Sequence, residues 1–312
     1  MKWPELSEEK RVRLLRPRKE RIDMVLDTDT YNEVDDQFAL AYSLLSDKVH
    51  LQAVYAAPFH NFRSSGPEDG MVKSYAEIKR VLATMKVSHE GFAFEGSRGY
   101  LRDSETPQDS PAVRDLIRRA MARAEDDPLY VAAIGCITNV ASALLIEPRI
   151  LDKIVIVWTA TNEFSWPTAR EFNIMQDVPA SKVIFDSGVP VVFVPAMGVS
   201  SHMMSTIWEL RACIGGKNAL CDTLCDLFEA YSDNHFGWAK EIWDIAAIAW
   251  LVDPEMAPSE LLHMPWLSED CRLSFDNNRH MCRVVRMLRR SEIFGDMFGV
   301  LSDAEAILAK RR

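Results

Sequence analysis

The stretch MVLDTDTYNEVDDQFAL, residues 24–40, places several acidic side chains between two apolar runs. Residues 22–26 are short and mostly apolar, as a buried strand is, and the apolar residues after the acidic stretch recur at helical spacing. We therefore predict a strand, a loop and a helix in this order. The loop holds four carboxylates: Asp27, Asp29, Asp35 and Asp36.

The same alternation of strand and helix continues along the chain. Further strands are predicted at residues 49–56, 129–134, 154–159 and 189–194. Further helices are predicted at residues 71–85, 111–124, 139–145 and 180–186. This alternation predicts an α/β fold with an open, mostly parallel, doubly wound sheet and helices on both faces.

The pattern changes after Pro195. Helices are predicted at residues 208–214, 220–231 and 242–251, short β-like runs at 271–275 and 281–287, and a helix in the last twenty residues. The C-terminal part is therefore expected to be rich in helix. We expect a charged N-terminal arm at residues 1–20 and, because no repeat or linker interrupts the rest, a single α/β domain at residues 21–312.

Composition limits the function. The 312 residues carry a net charge of −10, which argues against a nucleic-acid surface and favours a small neutral or cationic ligand. The N-terminus lacks the apolar segment of a signal peptide, and no apolar run is long enough to span a membrane, so we expect a cytoplasmic protein. Six scattered cysteines without a CxxC pair predict reduced thiols and no structural zinc.

The position of the aspartates favours a metal site. Ligands of open parallel sheets bind at the carboxyl ends of the strands, where this loop lies. The start of a helix favours acidic side chains, which would account for Asp35 or Asp36 alone. It does not account for Asp27 and Asp29, because crowded like charges are destabilising unless something neutralises them. Oxygen ligands in a loop suit calcium or magnesium.

One enzyme class with a similar first strand is the magnesium-dependent phosphatases of the haloacid dehalogenase type, whose strand ends in DxDxT. Asp27 and Asp29 fit this pattern. Tyr31 stands where the threonine should be, and the phosphatase chemistry would leave Asp35 and Asp36 without a role. This class is kept as an alternative.

Four segments in order resemble the inosine-uridine-type nucleoside hydrolases. Residues 27–36 resemble the family's N-terminal signature DTDPGxDDxxAL. The other three are LYVAAIGCITNVASALLIEP at 129–148, REFNIMQDVPASKVIFDSGVPVV at 170–192 and WDIAAIAWLVDPEM at 243–256. The resemblance implies the family's α/β fold and hydrolysis of the N-glycosidic bond of a ribonucleoside to ribose and free base. It also implies a homodimer or homotetramer.

The resemblance also implies roles for individual residues. The calcium (Ca²⁺) ligands would be the carboxylates of Asp29, Asp36 and Asp244 and the backbone carbonyl of Ile134. Asp35 would be the general base, which takes a proton from a calcium-bound water as that water attacks the anomeric carbon. Asp27 would lie behind the ligands and orient them. Glu171 and Asn173 match the family's ribose-hydroxyl binders.

The chain departs from the family pattern in three places. Residues 30–34, TYNEV, replace a Pro-Gly turn and lengthen the loop by two residues. Asn61 is the candidate for a ribose-binding asparagine that is shifted by two positions. Asn162 is the nearest candidate for another asparagine, which lies upstream of Glu171 in the family.

The leaving base would contact the residue before Asp244. Trp243 stands there, where purine-preferring members carry tryptophan and pyrimidine-accepting members carry histidine. The resemblance therefore implies a purine nucleoside as the substrate, with its base stacked on Trp243. Besides the phosphatase, the remaining alternative is a non-catalytic relative that binds a nucleoside, which would not need a general base beside a metal.

Overall fold

The computed structural model describes residues 3–311 of the chain. Its strands are β1 Ile22–Thr28, β2 Val49–Ala56, β3 Ala93–Glu95, β4 Leu129–Ala133, β5 Ile154–Thr159, β6 Val191–Val194, β7 Met204–Ser205, β8 Lys240–Glu241, β9 Ser259–His263, β10 Trp266–Leu267, β11 Leu273–Ser274 and β12 Met281–Val285. Its α-helices are α1 Glu8–Leu14, α2 Asp36–Leu45, α3 Pro67–Thr84, α4 Pro111–Met121, α5 Thr138–Ile146, α6 Phe172–Gln176, α7 Val178–Ser187, α8 Ile207–Cys213, α9 Ala219–Glu229, α10 Ile245–Val252, α11 Arg290–Ser302 and α12 Ala304–Arg311.

Eight strands form the central sheet, in the order β3-β2-β1-β4-β5-β6-β12-β9. Every neighbouring pair is parallel except β12 and β9, which are antiparallel at one edge. Helices cover both faces, because alternate side chains of β1 belong to different cores: Met24 and Leu26 to one, Val25 to the other. The predicted fold class is confirmed.

The strand order places the acidic loop at the centre of the sheet. The chain runs outward from β1 through β2 to β3 and then returns to pair β4 on the other side of β1. Such a reversal leaves a crevice at the carboxyl ends of the two central strands. Asp27 pairs with Ala133 of β4 and with Tyr55 of β2, so the loop begins at this crevice.

The C-terminal part supplies strands as well as helices. The run predicted at residues 281–287 becomes β12, which pairs with β6 in the central sheet. The edge strand β9 was not predicted, because its side chains are partly or fully exposed and its sequence SELLH lacks a clear alternation. The described cysteines form no disulfide. Within residues 3–311, no helix is long and apolar enough to cross a bilayer.

The predicted N-terminal arm contains α1. The side chain of Arg11 is buried, and its Nε donates a hydrogen bond to the carbonyl of Gly188 at 3.1 Å. Leu14 and Leu15 are buried in the core. Residues 1 and 2 of the arm lie outside the described part of the chain, and the division into an arm and one domain stays a prediction.

Candidate active site

Two helix N-termini bring aspartates together at the crevice. Asp35 directly precedes α2, and Asp244 directly precedes α10. Neither side chain makes a capping hydrogen bond to its own helix, so the ordinary capping role does not account for them. Carboxylate oxygens of Asp35, Asp36 and Asp244 all lie within 4.8 Å of one another, and the three residues are buried.

Asp29 lies beside this group without belonging to it. Its charge raises the pKa of Asp244, although less than burial, Asp35 and Asp36 do. The side chain of Asp29 packs against Gly135, where an added Cβ would lie 2.9 Å from its Cγ. The glycine two residues after β4 therefore gives Asp29 the space to enter the crevice.

Burial and mutual repulsion disfavour the charged forms of these carboxyl groups. Burial is the largest cause that raises the pKa of Asp36 well above its ordinary value, and the charge of Asp35 comes next. Burial also raises the pKa of Asp35 to about 6, while the nearby ammonium of Lys240 lowers it. Asp29 follows the same pattern, with burial first and Asp36 second. The group needs positive charge to stay ionised.

The donor set fits a hard divalent cation. Oδ2 of Asp29 is buried and has no hydrogen-bond partner in the described part of the chain. Asp36 is held in place by the hydroxyl of Thr28, which donates to its Oδ1 at 2.5 Å. Ile134 lines the same cavity, and its backbone carbonyl accepts a hydrogen bond from Asn173 at 3.3 Å. Carboxylate and carbonyl oxygens are the ligands that calcium and magnesium prefer.

Asp27 lies behind the group and is completely buried. Its Oδ1 accepts a hydrogen bond from Asn139 Nδ2 at 2.7 Å, and its Oδ2 has no partner in the described chain. Burial raises the pKa of Asp27 to about 7, and the Asn139 hydrogen bond opposes this shift. Asn139 also accepts hydrogen bonds from the backbone and hydroxyl of Ser97, so the asparagine links Asp27 to the loop after β3.

A cavity of about 320 Å³ opens above the acidic group. Trp243 is partly buried in its wall, beside Asp244. The residues that line the cavity are Asn32, Glu33, Asp35, Ile134, Thr159, Arg170, Glu171, Phe172, Asn173, Ala196, Met197, Trp243 and Asp244. The structure therefore brings Glu171, Asn173 and Trp243 into one cavity with Asp35 and Asp244.

Glu171 and Asn173 are held at the start of α6. The Glu171 carboxylate accepts hydrogen bonds from the backbone N–H groups of Thr161, Asn173 and Ile174. Burial nevertheless raises the pKa of Glu171 to about 7, because the hydrogen bonds only partly offset it. Asn173 Nδ2 donates to the carbonyl of Thr159 at 2.8 Å.

The two other predicted asparagines take different positions. Within residues 3–311, neither Asn61 nor Asn162 lines the cavity. Asn61 Nδ2 donates to Oδ1 of Asn32 at 2.5 Å, and it is Asn32, from the inserted segment, that lines the cavity. Asn162 is buried behind the wall, where its Nδ2 donates to the carbonyl of Thr168.

Lys240 lies at the site without having been predicted from the sequence. This side chain is buried, and its Nζ donates a hydrogen bond to Glu33 Oε2 of the inserted segment at 2.5 Å. Its ammonium also lies 6.0 Å from the centre of the Trp243 ring. The position of Lys240, three residues before Trp243, was the sequence feature that could have indicated it. Its acidic partner, Glu33, is distant in sequence, so the ion pair could not be predicted.

The fold and the site together define a class: α/β proteins with an acidic cavity at the switch point of a parallel sheet. Residues 65–293 match the family model described as inosine-uridine preferring nucleoside hydrolase. The pyrimidine-specific ribonucleoside hydrolase RihA of Klebsiella pneumoniae (strain 342) is 32% identical over 262 residues, which cover 75% of this chain and 81% of RihA.

Solved structures agree on the fold. A plant nucleoside hydrolase, the PpNRh1 enzyme, superposes with a TM-score of 0.71 at 17% identity, over 90% of this chain and 99% of its own. A purine-preferring ribonucleoside hydrolase from Gardnerella vaginalis gives 0.68 at 20% identity, over 91% and 99%. The chain belongs to the inosine-uridine preferring nucleoside hydrolase family and is an N-ribosyl hydrolase. This identification removes the phosphatase and non-catalytic alternatives.

Proposed function

We propose that the protein hydrolyses the N-glycosidic bond of a purine ribonucleoside in the 320 Å³ cavity, with Asp35 as the general base and calcium as the cofactor. The observation that carries this proposal is the convergence of Asp35, Asp36 and Asp244 at a cavity that also exposes Glu171 and Asn173. A base, an acidic cation site and polar groups for a sugar then share one cavity.

The reaction needs a base at the water. The water oxygen forms a bond to the anomeric carbon, the bond from that carbon to the base nitrogen breaks, and its electron pair goes to the leaving base. Asp35 lines the cavity and has a pKa of about 6, so it is ionised at neutral pH and accepts the water's proton. A divalent cation supplies positive charge that acidifies the attacking water.

The cation would be held by oxygen atoms from four chain positions: Asp29, Asp36, Asp244 and the carbonyl of Ile134. Asp27, fixed by Asn139, would keep the end of β1 in place behind them. Calcium suits such a set of carboxylate and carbonyl oxygens. The positions of the unpartnered Asp29 Oδ2 and of the buried Asp36 support this assignment.

Glu171 and Asn173 would bind the ribose hydroxyls. Their backbone hydrogen bonds fix both side chains before a ligand arrives, so little conformational entropy is lost on binding. A buried polar group that is matched to each hydroxyl disfavours an analogue that lacks the hydroxyl. Asn32, which Asn61 orients, is a further hydroxyl partner from the inserted segment.

The base would stack on Trp243. The indole lies in the cavity wall next to Asp244, and aromatic stacking contributes about 0.5–1.5 kcal/mol beyond area burial. A purine presents a larger face to the indole than a pyrimidine does. The Klebsiella relative is named as pyrimidine-specific, which favours a pyrimidine ribonucleoside instead. A comparison of inosine with uridine distinguishes the purine from the pyrimidine assignment.

We expect free base to be released from inosine in the presence of calcium and not in the presence of a chelator. We also expect kcat/KM to be higher for inosine than for uridine. The measurement is the initial rate of base release from both nucleosides, with p-nitrophenyl phosphate as the control substrate. Phosphate release, or no base release with calcium present, would refute the proposed function, and a preference for uridine would refute the purine assignment alone.

The raised pKa of Glu171 predicts that substrate binding depends on pH. Its pKa of about 7 in the folded protein lies above the ordinary value, so the folded state favours the protonated form and the fold loses stability as pH rises towards 7. Ribose hydroxyls donate best to the ionised form. We expect KM for inosine to rise about tenfold from pH 8 to pH 6, and Glu171→Gln to remove most of this dependence. A KM profile that keeps its slope in Glu171→Gln would contradict the assignment.

The cytoplasmic location and the homodimeric or homotetrameric assembly stay predictions from the sequence. So does the division into a charged arm and one domain. None of them enters the proposed mechanism.

A further inference from the structure

A second cavity, of about 440 Å³, adjoins the catalytic cavity. Glu33 lines both cavities, while its neighbours separate: Asn32 lines only the catalytic cavity and Tyr31 only the second one. The inserted segment at residues 30–34 therefore lies where the two cavities meet. The volume of the second cavity lies within the range of small-molecule sites.

Arg63 presents a positive charge to this second cavity. Its guanidinium carbon lies 4.6 Å from the ring centre of Tyr31 and 5.7 Å from that of Tyr231. Its backbone N–H donates to Asn61 Oδ1, and its carbonyl accepts from Lys73 Nζ, both at 2.8 Å. The two rings contact the guanidinium, and the two hydrogen bonds fix the backbone of Arg63. No carboxylate among residues 3–311 forms an ion pair with it.

The acidic side chains of this cavity are already neutralised. Glu33 pairs with Lys240 at 2.5 Å, and Glu77 pairs with Arg80 at 2.5 Å. Arg63 is therefore the cation that remains without a counterion. A guanidinium binds phosphate and carboxylate groups well, because its N–H groups match their paired oxygens.

Gln37 offers the second unmatched group. Its side chain is 2% exposed and lines the second cavity. Its Nε2 donates to the carbonyl of Thr30 at 2.9 Å and to Glu77 Oε1 at 3.1 Å, which fixes the orientation of the amide. Its Oε1 has no partner in the described chain. A buried acceptor without a hydrogen bond costs free energy, and an N–H or O–H donor from a ligand would remove this cost.

We propose that the second cavity binds an anionic substituent of the ribonucleoside, a phosphate or a carboxylate, through Arg63. Gln37 Oε1 accepts a hydrogen bond from the same substrate. The proposal rests on the proposed function, since the ribosyl group must occupy the catalytic cavity on the other side of Glu33. The preferred substrates are then anionic ribonucleosides rather than neutral ones.

A rival cation lies in the catalytic cavity itself. Arg170 lines that cavity, but it is exposed, and its Nε donates only to the sulfur of Met175 at 3.1 Å. It lacks the aromatic rings that hold Arg63. Arg170→Met is therefore the matched variant: it removes the same charge from the adjoining cavity.

The test uses two substrate pairs that each differ in one anionic group. Inosine is compared with inosine 5′-monophosphate, and uridine with orotidine, which carries a carboxylate on the base. In the wild-type protein with calcium, we expect kcat/KM to favour the anionic member of at least one pair by about tenfold. The pair that shows the preference tells whether Arg63 meets a phosphate or a carboxylate. A preference for the neutral member in both pairs overturns the proposal.

The variants then assign the preference to a residue. Arg63→Met should remove it and leave kcat/KM for the neutral nucleosides within about twofold, Arg63→Lys should keep part of it, and Arg170→Met should keep it. The exposed Arg102→Met serves as a control for folding and general charge. Loss of the preference in Arg170→Met but not in Arg63→Met overturns the proposal.

A binding measurement separates this proposal from the proposed function. Calorimetry on Asp35→Asn with calcium gives the dissociation constants of all four compounds without turnover. If no compound is hydrolysed by the wild type, the proposed function fails, while the calorimetric ratio still reports on Arg63. Equal affinity for the charged and the neutral compound of each pair, both in Asp35→Asn and in Asp35→Asn that also carries Arg63→Met, would overturn the anion site. The wild-type ratio stays decisive if Arg63→Met does not fold.

Discussion

Asp35→Asn is expected to lower kcat for ribonucleoside hydrolysis by about 10²–10⁴-fold, the range that a general base contributes. Asparagine keeps the shape of the side chain and the N-terminal position before α2, but it cannot accept the proton of the attacking water. The fold should be preserved, because Asp35 makes no capping hydrogen bond that asparagine would lose.

The same variant distinguishes a base from a cation ligand. Oxygen atoms of Asp35 lie within 4.8 Å of those of Asp36 and Asp244, so proximity alone permits either role. If Asp35 is the base, calorimetry should give Asp35→Asn a calcium affinity close to that of the wild type, whereas Asp36→Asn should bind calcium much more weakly. Retained turnover in Asp35→Asn, or a loss of calcium affinity equal to that of Asp36→Asn, would contradict the assignment. Exposed Asp303→Asn is the control.

The sequence was sufficient wherever the determinants are local. Strand β1, the loop and α2 follow from the apolar run, the acidic loop and the helical period of residues 24–40, and the structure matches all three. Asp244 was placed by a motif, and the fold brings it to Asp35 because α10 and α2 both begin at the crevice. The family motif therefore predicted the approach of Asp244 to Asp35, which no local sequence pattern predicts.

The inserted segment could not be predicted in the same way. Asn61 was expected to bind the ribose, but the structure turns it to Asn32, and Glu33 pairs with Lys240. These contacts join residues that are far apart in sequence, and the family pattern has no equivalent of the segment that makes them. Local propensity states only that residues 30–34 form a loop. The side chains that the loop meets depend on the packing of α9 and β8 around it.

Removing one carboxylate from the acidic group should have opposite effects with and without calcium. The oxygen atoms of the group lie within 4.8 Å of one another, and at the upper end of this range two like charges repel by about 3 kcal/mol at an effective dielectric constant near 20. The folded-state pKa of Asp36 lies well above its ordinary value, so the fold is penalised as pH rises from that ordinary value through the folded-state value. In chelator at pH 8, Asp36→Asn should therefore be more stable than the wild type by about 1–3 kcal/mol. Asparagine Oδ1 still accepts the Thr28 hydrogen bond.

Calcium should reverse this order. A ligand at about a thousand times its dissociation constant adds about 4 kcal/mol to the free energy of unfolding, which corresponds to a rise in Tm of about 6 °C for a chain of this length. The wild type should gain this amount, and Asp36→Asn should gain far less because it has lost one cation ligand. Thermal unfolding of both proteins at pH 8, with calcium and with chelator, measures this reversal in the order of their stabilities. The control variant Asp303→Asn should have the same Tm as the wild type in both conditions. Lower stability of Asp36→Asn than of the wild type in chelator would show that Asp36 is not a source of repulsion. An equal gain of both proteins from calcium would show that Asp36 is not a cation ligand.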